Sequence, residues 1–154
     1  MDRFLSTGKL PDLFEGYWQQ YISQFPEAVF GQVNENFYRA TFYELCRRYL
    51  SRGFIFTLEH SLAAGRTDFE MAGRHGTPQA GKRYLVEFKY ISNAEARRRK
   101  LDLEDFQARD GDKAQASRYL AELVREHPNE QISGWLAYCF GNRGYRLFPV
   151  RLSP

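Results

Sequence analysis

Residues 84–90 combine two charged side chains with the pattern of an apolar strand. Alternate side chains of a strand share a face, so Glu87 and Lys89 point one way while Val86 and Phe88 point the other. Buried charges are costly unless they are paired or bound to a metal ion. A carboxylate and an ammonium group on one face of an otherwise apolar strand are therefore candidates for chemistry.

A second carboxylate, Asp68, follows Gly65-Arg66-Thr67 earlier in the chain. If the two strands pair as a hairpin across the loop 73–81, Asp68 comes near Glu87. Two close carboxylates repel each other, and a hard divalent cation such as Mg²⁺ relieves the repulsion because it prefers oxygen ligands. Such an ion polarises a phosphoryl oxygen and lowers the pKa of its bound water, while Lys89 orients the water or stabilises charge on the phosphate. The combination suits phosphodiester hydrolysis.

Two other interpretations fit the same residues. Glu87 and Lys89 can belong to a solvated strand face with a cross-strand ion pair, as in an α+β interaction protein without a catalytic site. The metal site can also be intact in a protein that binds without cleaving. The distance between Asp68 and Glu87 distinguishes the first of these interpretations from a catalytic site.

The helices that must position these strands are predicted from apolar spacing. One helix is predicted over 10–25, with Pro11 in its first turn and Pro26 after its end. A second begins at Ala28 or Asn34 and ends at Leu50. A third covers 112–127, and residues 93–110 form either a helix or a mobile loop. The predicted buried positions are Val33, Phe37, Thr41, Leu45 and Tyr49 in the second helix and Ala114, Ser117, Leu120, Ala121 and Val124 in the third.

Five strands are predicted from period-two alternation, over 54–59, 66–71, 84–91, 132–140 and 145–152. The residues between the last two, Gly141-Asn142-Arg143-Gly144, are typical of a hairpin turn. Strands in the middle with helices before and after them predict a mixed sheet flanked by helices.

The composition is that of a folded domain with a mild positive charge. Of the 154 residues, 43% are hydrophobic, and 22 Lys and Arg against 19 Asp and Glu give a net charge of +3. This charge permits a nucleic-acid partner without requiring one. Cys46 and Cys139 are isolated in apolar surroundings, so we expect buried reduced thiols, no zinc site and a cytoplasmic location. No signal peptide and no apolar run of about 18 residues is present, so neither secretion nor a membrane span is expected.

The motif context resembles a known family. Gly65-Arg66-Thr67-Asp68-Phe69 followed by Tyr84-Leu85-Val86-Glu87-Phe88-Lys89 resembles the PD-(D/E)xK nuclease superfamily. More narrowly, it resembles the nuclease domain at the C-terminus of a group of bacterial AAA-ATPase-like proteins. The segments 34–38 and 113–119 and the closing pair of strands match that family's first core helix, later helix and last strands, so the resemblance covers about residues 30–152.

This resemblance implies an α+β fold, an α/β/α sandwich with a restriction-endonuclease-like core and a central mixed sheet. It also implies a Mg²⁺ (or Mn²⁺) nuclease in which Asp68 and Glu87 bind the metal ion and Lys89 is the catalytic lysine. Glu35 completes the metal site or is an exposed helix residue. Gln115 supports the site or touches the phosphate, or is a simple surface residue. Tyr119 is expected to pack rather than to act chemically.

Several basic residues are candidates for contact with nucleic acid. Arg66 either contacts a backbone phosphate or pairs with Glu70. The run Arg97-Arg98-Arg99-Lys100 lies in a link that is longer than the family's usual one. These four residues either neutralise phosphates or form a solvated helix face. No catalytic task is assigned to His60, His75 or His127.

The chain is predicted to be one nuclease-like domain, with a helical extension over 1–27 and a core over 28–154. Its expected partner is nucleic acid, DNA rather than RNA, with no membrane. A homodimer and an ATPase domain in a longer parent protein are also compatible with the resemblance. No nucleotide cofactor site is predicted, because Ser6-Thr7-Gly8-Lys9 lacks the upstream glycine of a P-loop.

Overall fold

The computed structural model describes residues 1–153, which form helices packed on a mixed sheet. Two of the helices begin at capping side chains. The Asn34 side chain accepts a hydrogen bond from the Phe37 amide, and the Ser92 side chain accepts one from the Glu95 amide. Short 3₁₀ turns cover Ile22–Gln24 and Glu27–Gly31. The α-helices are α1 (Asp2–Thr7), α2 (Leu10–Gln20), α3 (Glu35–Leu50), α4 (Asn93–Arg98) and α5 (Asp110–Glu126).

The strands form one five-stranded sheet and one small hairpin. The main sheet has the order β1-β4-β5-β6-β7, and β2 pairs with β3. Within the main sheet β5 and β6 are parallel, while the other neighbours are antiparallel. Parallel neighbours need a crossover connection, and α4 and α5 provide it. The strands are β1 (Phe54–Leu58), β2 (Ser61–Leu62), β3 (Gly65–Arg66), β4 (Phe69–Gly73), β5 (Lys82–Ile91), β6 (Gln131–Phe140) and β7 (Gly144–Val150).

The two faces of the sheet are covered by different helices. Val86 and Phe88 of β5 belong to a core cluster with residues of α1, α2 and α3. Leu85, on the other face, packs against Leu120 and Leu123 of α5. Helices on both faces of a mixed sheet confirm the predicted α+β sandwich with a restriction-endonuclease-like core.

The N-terminal helices contribute large side chains to the main core. Phe4 of α1 contacts the rings of Phe54 and Tyr84, with centroid distances of 5.8 and 5.4 Å. Phe14 of α2 is fully buried against Phe42 and other rings. Burying each such ring stabilises the fold by about 1.5–3 kcal/mol, so these helices and the sheet share one core.

The predicted buried faces of two helices were partly wrong. Leu45, Ser117 and Leu120 are buried as expected, whereas Ala114 is exposed. In α3, Tyr49 is 56% exposed, although it was expected inside. Adjacent helix positions differ by about 100°, and aromatic residues occupy both candidate faces, so spacing alone did not choose between them. In α5, Val124 is exposed. The buried residues are Tyr38, Phe42, Leu45, Cys46 and Leu50 in α3 and Ala116, Ser117, Tyr119, Leu120 and Leu123 in α5.

Other boundaries also differ from the prediction. The strand expected over 66–71 is divided, because β3 ends at Arg66 and β4 begins at Phe69, with Asp68 in a bend between them. The helix expected over 10–25 ends at Gln20. The ambiguous segment 93–110 contains the short helix α4 followed by irregular backbone. Cys46 and Cys139 are buried and unbonded, as expected.

Candidate active site

Asp68 and Glu87 face each other where β4 meets β5. The antiparallel register pairs Phe69 with Val86, which places the next residues, Asp68 and Glu87, opposite one another. The Asp68 amide donates to Glu87 Oε1 at 2.9 Å, and the Phe88 amide donates to Asp68 Oδ2 at 2.8 Å. The bend at Asp68 therefore fixes the two carboxylates through reciprocal bonds to main-chain amides.

Lys89 lies two residues further along β5, on the same face as Glu87. Its Nζ donates to Gln115 Oε1 at 3.3 Å and lies 3.6 Å from Asp112 Oδ1. Both partners belong to the first half of α5, which lies over this face of the sheet. The structure therefore brings Asp68, Glu87, Lys89 and Gln115 into one neighbourhood.

Gln115 is itself held by Tyr119 and, through it, by the β2–β3 hairpin. The Gln115 side-chain amide donates to the Tyr119 hydroxyl at 3.0 Å. Gly65 leaves space for that hydroxyl, since a Cβ at Gly65 would lie 2.5 Å from it, and the φ of +142° also favours glycine. Gly65 of the Gly65-Arg66-Thr67-Asp68 motif thus leaves room for the Tyr119 hydroxyl, which a larger residue would displace.

Glu35 is the first residue of α3 and lies on the other side of Asp68. The two residues line an open depression of about 370 Å³ together with Asn34, Asn36 and Arg39. Glu35 is exposed at the start of the helix. Partial burial of its carboxyl group raises its pKa, and the charge of Lys89 opposes that rise. The structure places Glu35 beside the carboxylate pair, and its role as a metal ligand stays a prediction.

Burial and mutual repulsion disfavour the charged forms of the carboxylate pair. Burial raises the pKa of Glu87 to about 8, and the charge of Asp68 adds to the effect, against the Asp68 amide and Lys89. Burial also raises the pKa of Asp68, while the Phe88 amide and Arg39 oppose the rise. An additional cation would stabilise both ionised carboxylates.

The oxygen atoms of this pair fit a hard divalent cation. Asp68 Oδ1 and Glu87 Oε2 accept no main-chain hydrogen bond within residues 1–153, so each has capacity for a metal bond. No group of three or more His, Cys, Asp or Glu side chains in the described part of the chain is arranged to hold an ion. Mg²⁺ does not need such a cage, because it usually binds one or two carboxylates together with water and substrate phosphate.

Two charged residues of the site were not predicted from the sequence. Arg39 Nη1 lies 3.4 Å from Asp68 Oδ1 and 3.2 Å from Glu59 Oε1. Asp112 contacts Lys89 and accepts a hydrogen bond from the Tyr138 hydroxyl. Helical spacing carried a weak signal for both, since Arg39 follows Glu35 by four residues and Gln115 follows Asp112 by three.

The basic candidates are exposed on the protein surface. Arg66 is 63% exposed and lies 3.9 Å from Glu59, so its expected alternative partner, Glu70, was wrong. The run of Arg97, Arg98, Arg99 and Lys100 is exposed on α4 and the residues directly after it. Arg99 contacts Glu95 at 3.1 Å. Contact of these residues with nucleic acid stays a prediction.

A second charged network lies further along the sheet. The buried Glu70 accepts hydrogen bonds from Thr67 Oγ1 and pairs with His60 Nδ1, both at 2.9 Å. Arg83 lies 3.4 Å from Glu70 and bonds to Glu130 at 2.6 Å. Each buried charge is therefore paired, which is the arrangement of a structural network.

The chain matches a known protein family over most of its length. The family model of the PD-(D/E)XK nuclease superfamily matches residues 33–148, more than half of the chain. The matched span includes the two facing carboxylates, Lys89 and the α5 residues that hold it. No curated protein and no solved structure matches the chain.

Proposed function

The chain belongs to the PD-(D/E)XK nuclease superfamily, and we propose that it is a metal-dependent nuclease that hydrolyses phosphodiester bonds in nucleic acid. One observation carries the proposal: Asp68 and Glu87 face each other across β4 and β5, with Lys89 on the same face. Nucleases of this superfamily generally use divalent metal ions, which is the class of ion that this oxygen pair fits.

The residues of the site have separate roles in this proposal. Asp68 and Glu87 hold Mg²⁺ or Mn²⁺, and Glu35 completes the metal site. The bound ion supplies a Lewis acid and lowers the pKa of its water. Lys89 donates hydrogen bonds to the attacking water or to the phosphate. Gln115 holds the Lys89 ammonium group on that side of the strand, since its Oε1 accepts from Nζ at 3.3 Å.

We also propose a substrate, an assembly and a cellular location for the protein. DNA is favoured over RNA, with cleavage inside the strand, and Arg66 and the run from Arg97 to Lys100 neutralise backbone phosphates. The homodimer, the ATPase domain in a longer parent protein and the cytoplasmic location are proposals that rest on the resemblance or on the cysteines. Within residues 1–153, no helix is both long enough and apolar enough to cross a membrane.

The test is cleavage of single-stranded, duplex and structured DNA and RNA, with Mg²⁺ or Mn²⁺ present and then chelated. We expect cleavage that stops on chelation. Lys89→Ala and Asp68→Ala should each reduce the rate about 10²–10⁴-fold, the range expected for loss of a group that acts on the reacting atoms. The matched control is Lys113→Ala, because Lys113 is an exposed lysine that pairs with Asp110 on the surface of α5.

The folded state of each variant is checked by its melting temperature. A folded Lys89→Ala protein with full activity would remove Lys89 from the mechanism. Binding of nucleic acid without cleavage in either metal ion would instead favour a catalytically silent module of the same fold.

A further inference from the structure

Arg39 occupies a position between the carboxylate pair and the outer surface of the site. It lies one turn after Glu35 on α3, and its side chain is 19% exposed. Its guanidinium lies between Asp68, at 3.4 Å, and Glu59, at 3.2 Å. It also lines the open depression beside Asp68, so a ligand in that depression would meet the guanidinium.

The guanidinium has unused hydrogen-bonding capacity. An arginine side chain has five N–H donors. Nη1 faces the carboxylates of Asp68 and Glu59, and Nη2 donates to Asn36. Within residues 1–153, Nε and the second hydrogen of Nη2 make no hydrogen bond. Two donors of one planar group match the geometry of a phosphate.

The charge of the site also favours a phosphate contact at this position. The carboxylates of Glu35, Glu59, Asp68 and Glu87 repel a phosphodiester, so binding needs cations on the protein next to them. Lys89 supplies one cation on the side of α5, where it contacts Asp112. Arg39 supplies the other on the side of α3. Arg66, which is more exposed, lies 3.9 Å from the same Glu59 and adds a second guanidinium to this side of the site.

We propose that Arg39 is a substrate-binding residue, whose guanidinium binds a nucleic-acid phosphate next to the scissile one. The proposal rests on the proposed function in that it assumes a nucleic-acid ligand, but it does not require cleavage. Glu59 is half-exposed and holds the guanidinium in place until the phosphate competes for it.

Binding of short fluorescein-labelled DNA and RNA oligonucleotides, measured by anisotropy over a series of salt concentrations, tests this role. The oligonucleotides are kept intact by working in a Lys89→Ala background with Mg²⁺. We expect Arg39→Gln to weaken binding about tenfold and to reduce the slope of log affinity against log salt by about 1. Arg39→Lys should keep the slope and recover part of the affinity. The matched control, Arg47→Gln, changes the same charge about two turns further along α3, at an exposed position.

Glu59→Gln gives a test with the opposite sign. Removing this carboxylate frees the Arg39 guanidinium, so affinity should rise, and the rise should shrink in the Arg39→Gln/Glu59→Gln double variant. If the Arg39–Glu59 pair were purely structural, the gain from losing the repelling carboxylate would be the same with and without Arg39. Melting temperatures of all variants identify any that are unfolded, and Arg39→Lys keeps the test valid if Arg39→Gln is among them.

The outcomes separate this inference from the nuclease proposal. Equal affinity and equal salt slope in Arg39→Gln and Arg47→Gln would overturn the role of Arg39, even if the wild type cleaves DNA. Binding that depends on Arg39 without cleavage by the wild type in Mg²⁺ or Mn²⁺ would support Arg39 and overturn the nuclease. A wild type that neither binds nor cleaves any of the oligonucleotides would overturn both.

Discussion

Glu87 is a carboxyl group buried in the central strand of the sheet, where its charge is costly to the fold. Within residues 1–153, its side chain accepts one main-chain hydrogen bond, from the Asp68 amide at 2.9 Å, and the Asp68 carboxylate lies opposite. Without a divalent ion, the fold therefore favours the protonated form of Glu87, and the pKa of this carboxyl group rises to about 8. Burial beside the Asp68 carboxylate makes the charged form of Glu87 destabilising, and the same surroundings favour binding of a cation.

The pH dependence of stability follows from this shift. Between the pKa of the unfolded chain, about 4.3, and the raised value in the fold, the folded state binds more protons than the unfolded state. The free energy of unfolding therefore falls as pH rises through this window. Glu87→Gln removes the titrating group. With chelator present at pH 8, the free energy of unfolding of the variant should therefore exceed that of the wild type by about 1–3 kcal/mol. The difference should shrink towards pH 5, as measured by urea unfolding.

The control for this experiment is Glu126→Gln, an exposed glutamate near the end of α5, which should give no such trend. Saturating Mg²⁺ should narrow the difference in free energy of unfolding between Glu87→Gln and the wild type at pH 8. An ion that binds the folded state stabilises the wild type. A constant difference between Glu87→Gln and the wild type from pH 5 to pH 8 would contradict the raised pKa.

Some residues of the candidate site could be predicted from the sequence, and others could not. Asp68, Glu87 and Lys89 could be identified because strand alternation and a short motif bring them together in any fold of this kind. Arg39 could not, since its partner Glu59 lies 20 residues away, just after β1, and reaches it only through the tertiary fold. A long flexible side chain can reach several partners, and the sequence does not choose among them.

At the scale of elements, strands were easier to predict than the faces of helices. The turn between β6 and β7 and the hairpin of β4 and β5 follow from local glycines and from alternation. In α3, by contrast, Phe37 and Tyr38 are both aromatic, and the packing of α2 decides that Tyr38 is the fully buried one. Only contacts with another element settle such a choice.

The contact between the β2–β3 hairpin and α5 gives a prediction at this scale. Gly65→Ala introduces a Cβ 2.5 Å from the Tyr119 hydroxyl, at a φ of +142°. We expect a loss of about 2 kcal/mol in stability. Because displacement of Tyr119 disturbs Gln115 and then Lys89, kcat should fall while KM stays nearly constant. Urea unfolding and steady-state cleavage measure the two effects.

Gly76→Ala is the matched control, since Gly76 also has a positive φ but open space around its Cα. It should cost about 1 kcal/mol for the backbone alone and leave kcat unchanged. If both alanine variants behave alike, the contact between Gly65 and Tyr119 has no role in positioning Lys89.

For the whole molecule, the N-terminal helices and the sheet share one hydrophobic core. Phe14 is fully buried against Phe42 and Phe88, with centroids at 5.3 and 6.1 Å. Phe14→Ala should therefore lower the free energy of unfolding by about 3–5 kcal/mol. Leu5→Ala, at a position that is 40% exposed, should change it by less than about 1 kcal/mol.

Chemical denaturation of the two variants measures this contrast. It also tests the predicted division of the chain into an extension over 1–27 and a core over 28–154. If Phe14→Ala is as stable as the wild type, the first residues are a dispensable extension.

The parallel pairing of β5 with β6 has a consequence for synthesis of the protein. Lys82 pairs with Gln131, and the ladder continues to Ile91 and Phe140. The strand that carries Glu87 and Lys89 therefore remains an open-edged strand until residues far downstream have left the ribosome. A nascent chain that does not yet include Phe140 holds Glu87 and Lys89 on an unfinished sheet, so the proposed site forms only after β6 has been made.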